Sequence, residues 1–383
     1  QLVEWSPDST LVMAASLKAA AVQVFSVEDD KYKCDIAEGA GGMVHAFWAP
    51  DSRHILTVAD FQIMITVWSL VDNTTVFLDS PKFPKAGMAF SHDGSYLAVA
   101  TRRDCKDSIC VYQTDTWALV RRFQTDTRDL ADLSWSADDT ALLVRDDPIV
   151  YKMLVYRMDG VCMAVYSAYE DALGIKTMAM SAASNLVAIG SFDDCVRLLS
   201  SLTWTPVAEF ALNPDVDADV VATFTEVADE DLSVILPVPL ADISNPEPAP
   251  RTGKTMDVAS HFETMSGRYT APANVSLKPS SASAPAMGVS TVKWSADDAF
   301  LAVRSDAMPK VLFVYEVAGF RLAAVLVFLN PVRGFAWDPS RSRLAVVTGT
   351  STLYSWEPTG VSFVTIEGVW RSNLKVLLAH FHP

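Results

Sequence analysis

Positive charge is what this chain is short of: 30 Lys and Arg stand against 46 Asp and Glu, a formal charge of −16 with a pI near 4.7. Nucleic-acid backbones are bound by clustered basic residues that release counterions, so the deficit speaks against a nucleic-acid partner and against adhesion to anionic lipid. The only basic doublets, Arg102-Arg103 and Arg121-Arg122, read as solvated charge at loops or strand edges. No apolar run reaches the ~18 residues that cross a bilayer as a helix, so membrane insertion is not expected. The five cysteines (Cys34, Cys105, Cys110, Cys162, Cys195) are odd in number and contain no C-x-x-C. A disulfide framework is thereby disfavoured, and a reducing, intracellular compartment fits best. The opening QLVEW resembles neither a signal peptide nor a natural start, so residues upstream of Gln1 are expected.

Catalytic motifs are missing as well. RTGKT (Arg251 to Thr255) ends like a phosphate-binding loop, but Pro248 stands where that loop needs its first glycine. His45, His54, His92, His261, His380 and His382 form no H-E-x-x-H and have no cysteine at ligand spacing, which points away from zinc. No G-x-S-x-G elbow presents a nucleophilic serine. The acidic pairs Asp138-Asp139, Asp193-Asp194 and Asp297-Asp298 invite a paired-carboxylate or cation reading. All three sit in turns, where Asp is favoured because its carboxylate bonds nearby backbone N–H groups. The glycosylation triplets at Asn73 and Asn274 would be silent in a reduced setting. The thirteen methionines are read as core filling rather than as a binding surface. The expectation is a non-enzymatic protein without cofactor or metal.

What the chain does contain is repetition. VEWSPDS, AFWAPDS, MAFSHDGS, LSWSADDT, MAMSAASN, VKWSADDA and FAWDPSRS share one plan, an aromatic or Met anchor, a small residue and a turn. The anchors Trp5, Trp48, Phe90, Trp135, Met180, Trp294 and Trp337 are 43, 42, 45, 45, 114 and 43 residues apart. Five of these six steps match the ~40–45-residue period of a propeller blade. After each turn comes an apolar strand, and the next strand ends in a bulky residue: Phe25, Trp68, Tyr112, Tyr156, Leu199, Tyr315 or Trp356. These lie 19 to 22 residues beyond their anchors, a constancy that stacked antiparallel blades require. The fold class is therefore all-β, a β-propeller of four-stranded blades numbering seven to nine. Residues 1–210 carry the first blades and 291–383 the last. Residues 211–290 are a Pro/Ser/Ala-rich insertion with nine of the twenty prolines. Within it VVATFTEV and LSVILPV read as strands, leaving open a plain insertion or a degenerate blade.

The units resemble WD repeats of a divergent kind, since no end residue is followed by Asp. VQVFSVE, DSRHILTVADFQIMITVWSL, RRDCKDSICVY, FQTDTRDL, YSAYEDALGIKTMAMS, SFDDCVRLL and PVRGFAWDPSRSRLAVVTGTSTLYSW are similar to blocks of the WD-repeat-containing protein eight family. These blocks cover most of the chain outside 211–290 and the last twenty or so residues. The resemblance implies a scaffold or adaptor of the centrosome, centriolar satellite and spindle pole, with a further role at the basal body and in cilium assembly. It implies a coiled-coil partner of the afadin- and alpha-actinin-binding (Msd-one) type. Minus-end kinesin, gamma-tubulin machinery or axonemal proteins are further implied partners. A different class is a translation-initiation-factor-like propeller, whose family uses similar W-S-P-D-G turns and binds ribosomal complexes.

Two stretches between the repeats are candidates for partner binding. RRDCKD, with Arg102, Arg103, Asp104, Lys106 and Asp107, reads as a polar inter-strand loop that is long for its blade. YEDALG places Tyr169, expected to be exposed, beside Glu170 in a connection between blades. The seven anchors are assigned a structural role, packing the blades.

Overall fold

The repeated turn works through one serine. In the phrases beginning at Trp5, Phe90, Trp135, Met180 and Trp294 the next residue is Ser6, Ser91, Ser136, Ser181 or Ser295, and all five are buried. Each hydroxyl accepts a 2.9 Å hydrogen bond from the backbone N–H five residues on, at Leu11, Tyr96, Ala141, Leu186 or Phe300. In four of them the hydroxyl also donates, to Asp8, Asp93, Asp138 or Asp297 two residues on. A side chain thus satisfies a backbone donor that the tight turn would leave unpaired. The fourth turn residue has positive φ in five of the seven phrases, at Ser9, Ser52, Gly94, Asp139 and Asp298. Gly, Asn and Asp tolerate that left-handed conformation best, which accounts for most of the residues found there.

The structure is a computed structural model that describes residues 2–29, 31–60, 64–183, 185–228, 260–273 and 287–365. It is all-β: among these residues there are six four-stranded sheets, one six-stranded sheet and one two-stranded ribbon. The chain divides into two compact units, Gln1–Ile175 and Lys176–Pro383. Numbered in chain order with the ribbon set aside, the first sheet lies within residues 2–37, the second within 43–78, the fifth within 175–211 and the seventh within 334–365. The sixth is the six-stranded sheet, whose meander runs from Val289 to Val327. The third is Met88–Phe90, Tyr96–Arg103, Lys106–Gln113 and Leu119–Gln124. The fourth is Asp132–Trp135, Ala141–Arg145, Met153–Arg157 and Cys162–Tyr166. Each is an antiparallel meander of consecutive strands, the form that short hairpin connections produce.

Register explains the constant spacing in the sequence. Every anchor is the last residue of a first strand, and every bulky end residue is the penultimate residue of a third strand. Trp135 pairs with Leu142, and Leu142 pairs with Tyr156. Trp5–Val12–Phe25, Trp48–Ile55–Trp68, Trp294–Leu301–Tyr315 and Trp337–Leu344–Trp356 form the same rows. Anchor and end residue therefore lie two strands apart on one face of a sheet. Apolar clusters fill the space between neighbouring sheets within each unit. One joins Leu97 and Tyr112 of the third sheet to Leu56 and Val67 of the second, and another joins Ala98 and Val111 to Leu142 and Tyr156.

The insertion adds to an edge. Its strand Ala222–Ala228, which overlaps VVATFTEV (Val220 to Val227), pairs in parallel with Arg321–Val327, the outer strand of the sixth sheet, and Ser260–Thr264 pairs onto it. Buried Glu226 fixes the addition by accepting from Ser260 Oγ (2.5 Å), the Leu329 N–H (2.8 Å) and Tyr354 Oη (2.7 Å). The fifth and sixth sheets are meanwhile in direct contact: a Cβ placed on Gly190 would lie 2.5 Å from Val289 Cγ1. LSVILPV and RTGKT lie outside the described residues.

Candidate functional site

The double acids of the repeats are joints between sheets. The first Asp of each pair serves its own turn, and Asp297 also accepts from Ser342 Oγ of the next sheet. In the two W-S-A-D-D turns the second, held at positive φ, reaches the turn of the preceding sheet, whereas Asp194 accepts from Ser305 Oγ of the following one. Asp139 accepts from the N–H groups of His92 (2.8 Å) and Asp93 (2.9 Å). Asp298 accepts from those of Ala182 (3.3 Å) and Ala183 (2.5 Å). Serine plays the same part earlier, where Ser52 Oγ accepts from the Asp8 N–H at 3.0 Å. The tryptophan anchors make a parallel set of joints. Indole N–H groups of Trp48, Trp135, Trp294 and Trp337 donate to the carbonyls of Glu4, Ala89, Ala179 and Lys293. Each acceptor is the residue just before the preceding anchor, so a buried donor is satisfied by the neighbouring sheet. The seven anchors differ in depth: Trp48 and Trp135 are buried, Phe90, Met180, Trp294 and Trp337 partly so, and Trp5 is 50% exposed.

RRDCKD requires a correction. It is a two-residue turn, Asp104-Cys105 with φ of 49° and 60°, joining two eight-residue strands. That is the doubly left-handed geometry of a hairpin turn whose twist matches its strands. Arg102 and Arg103 end one strand and Lys106 and Asp107 begin the next, with Arg102 opposite Asp107 and Arg103 opposite Lys106. Sequence reading overestimated the loop because two charged doublets look like loop residues, whereas they pair across the hairpin as strand, with Arg102, Arg103 and Asp107 in ion pairs. Asp107 is buried, accepting from Lys82 Nζ (3.0 Å) and the Leu130 N–H (2.6 Å). Lys82, 5% exposed along its side chain, also donates to Asp129 and to the Leu130 carbonyl. Arg102 pairs with Asp129 at 2.7 Å, and Arg103 shares Asp79 with Arg122. Much of this candidate site is therefore a lattice tying the third sheet to its surroundings, although Arg102, Arg103 and Lys106 all remain exposed.

YEDALG borders a cleft of about 930 Å³ in the first unit. Tyr169 is half-buried rather than fully exposed, because its ring meets Tyr151 edge-on at 4.6 Å and its hydroxyl donates to the Leu173 carbonyl at 2.7 Å. Tyr166 also meets Tyr151 edge-on, 6.1 Å away. Gly174 allows this approach: a Cβ there would sit 2.5 Å from the Val150 carbonyl oxygen and 2.6 Å from Tyr151 Cα. Ile149, Val165 and Leu173 add exposed apolar surface to the lining, and Glu170 and Asp171 stand exposed among the lining residues. Sequence reading found Tyr169 and Glu170 but missed Ile149, Tyr151 and Val165. The available signal was VCMAVYSAY (Val161 to Tyr169), nine residues without a charge in an acidic chain. Among the described residues no group of three or more His, Cys, Asp or Glu is placed to hold a metal ion.

No family model matches the chain. It is 37% identical over 369 residues, 96% of its length and 78% of the relative's, to the WD repeat-containing protein WRAP73 of Mus musculus. A chain in the crystal structure of the mitotic checkpoint complex is similar in fold, with a TM-score of 0.50 over 86% of this chain and 75% of that one. At 10% identity this likeness concerns the fold alone.

Proposed function

The chain belongs to the family of the WD repeat-containing protein WRAP73, the WD-repeat-containing protein eight family that its repeat blocks resemble, and from that premise we propose that it works at the microtubule-organising apparatus. It is a WD-repeat scaffold. In the proposed role it binds a coiled-coil adaptor of the afadin- and alpha-actinin-binding type and helps anchor microtubule minus ends at the spindle pole, centrosome or basal body. The reading includes no catalytic step. The observation that carries it is the 37% identity extending over 96% of the chain, which makes the whole domain comparable with its relative. Charge supports a bridged arrangement: microtubule walls are acidic, and a −16 protein is repelled by them. Tagged protein in dividing cells is expected to mark spindle poles or basal bodies as puncta and to co-purify with a coiled-coil chain. Ribosomal co-sedimentation or a diffuse signal would overturn the proposal. Salt-sensitive co-sedimentation of the purified protein with bare microtubules would overturn the bridging part alone.

A further inference from the structure

Among the described residues the outer strands of six four-stranded sheets have one edge with no strand paired to it, and the sixth sheet is an example of what such an edge accepts. Ala222–Ala228 adds in parallel to the sixth sheet, pairing Ala222, Thr223, Phe224 and Thr225 with Ala324, Val325, Leu326 and Val327. The outer strand of the fourth sheet, Cys162–Tyr166, is built the same way. Both outer strands carry one extra residue, Met163 in the fourth sheet and Ala323 in the sixth, opposite Val155/Tyr156 and Val314/Tyr315. Matching the bulges places Ala164, Val165, Tyr166 and Ser167 where Ala324 to Val327 receive their partner. In the fourth sheet no further strand is paired there among the described residues.

Free edges normally carry a deterrent to pairing, such as charge or proline. Lys33 and Asp35 lie on the first sheet's outer strand, Arg121 and Arg122 on the third's, and Pro206 and Glu209 on the fifth's. The outer strands of the second, fourth and seventh sheets have none, and beside the fourth, which alone of these borders the tyrosine cleft, Val161, Met163 and Val165 are 53%, 54% and 57% exposed. Val165 and Ser167 also line the tyrosine cleft, so a strand laid along this edge passes the mouth of an apolar cavity. Strand addition draws affinity from backbone hydrogen bonds and specificity from pockets that take alternate side chains.

Charge decides the occupant. Glu170 and Asp171 lie at the cleft, and Lys152 is paired with Asp126 at 3.0 Å. Arg128 is the remaining cation of the lining. A second copy would bring another −16 toward this surface, whereas a basic segment is attracted both locally and by the chain as a whole. We infer that the edge Ala164–Ser167 and the tyrosine cleft together bind an extended basic segment of another protein, added as a parallel strand with an apolar side chain in the cleft. This site stands on the edge, the cleft and the charge, and is independent of the microtubule reading.

The test uses the whole chain and fluorescein-labelled ten-residue peptides at physiological salt. Alternating Val-Lys peptide is expected to bind at least tenfold tighter than alternating Gly-Lys or Val-Glu peptide, and to slow amide exchange within Ala164–Ser167. Val165→Lys and Met163→Lys should each weaken binding at least tenfold. Phe363→Lys, on the uncharged outer strand of the seventh sheet, should leave it unchanged. Both fourth-sheet positions are exposed, so the melting temperature checks that the variants remain folded. Equal binding of Val-Lys and Gly-Lys peptides, or exchange unchanged in Ala164–Ser167, overturns the inference. Self-association that Val165→Lys abolishes overturns it in favour of a second copy. None of these outcomes touches the cellular localisation on which the proposed function is tested.

Discussion

Asp298→Asn measures the joint between the fifth and sixth sheets. Asp298 is buried, sits at φ 53° and accepts from two backbone N–H groups of the Met180 turn, at Ala182 and Ala183. Asparagine keeps the shape and tolerates the left-handed backbone, so the change isolates acceptor chemistry from strain. It leaves one carbonyl oxygen and turns an NH₂ group toward donors. One of two charge-assisted bonds, each contributing about 1.5–3 kcal/mol, is lost. The expected cost is therefore about 2 kcal/mol. In a unit of this size that lowers the melting temperature by roughly 4–8 °C. Asp298→Ala removes both bonds and adds left-handed strain of about 1–2 kcal/mol, so it should cost about twice as much. Asp104→Asn, in an exposed hairpin turn that also favours Asn, should change little. Thermal melts give the global cost, and hydrogen exchange locates it: Ala182 and Ala183 should lose protection in Asp298→Asn. If the melt stays within 1 °C of the parent and both amides keep their protection, the double acid is not a joint between sheets.

The remaining predictions follow the same logic. Trp135→Phe keeps the ring in its buried site but removes the 2.9 Å bond to the Ala89 carbonyl. Denaturant unfolding should show a loss of about 1–2 kcal/mol, and Trp5→Phe, at a half-exposed position, should lose less. Lys82→Met strands buried Asp107 and should cost about 3–5 kcal/mol, while Lys82→Met with Asp107→Leu recovers part of that; equal costs for single and double variants would refute the buried pair. For the same reason, replacing Arg102, Arg103 and Lys106 together by Ala should lower the melting temperature, since it cuts the contacts to Asp129 and Asp79. Lys106→Glu alone tests the hairpin tip for partner binding at little cost to the fold. Acid should weaken the turns. The Ser136 hydroxyl holds the Asp138 carboxyl below the usual range against opposing burial, with help from Thr140, and the Ser91 hydroxyl does so for Asp93. With folded values below unfolded ones, their contribution is fully present above about pH 4 and is lost as pH falls through the folded values. Stability measured from pH 7 down to pH 2 should therefore decline mainly below about pH 4, and a decline complete by pH 5 would contradict this assignment.

Periodicity made most of the blade plan legible. The anchors mark the ends of first strands and the bulky residues mark the third strands, because one row of a four-stranded meander has a fixed contour length of about twenty residues. Local chemistry made the turns legible too, since a serine two residues before an acid bonds within its own loop. RRDCKD was harder to read. A hairpin of two residues and a loop of six have the same composition, and only pairing across strands shows that Asp107 is buried against Lys82.

Sequence by itself determined the fold class, the register of the repeats and the family, because each rests on local pattern repeated along the chain. Tertiary structure decided what the side chains at the joints do. Asp139 and Asp298 reach backbone donors 46 or more residues away, and Tyr151 and Tyr169 come to line one cleft only when the strand and the loops around it fold together. Such contacts depend on which sheets become neighbours and which edge stays open, and no spacing along the chain encodes that.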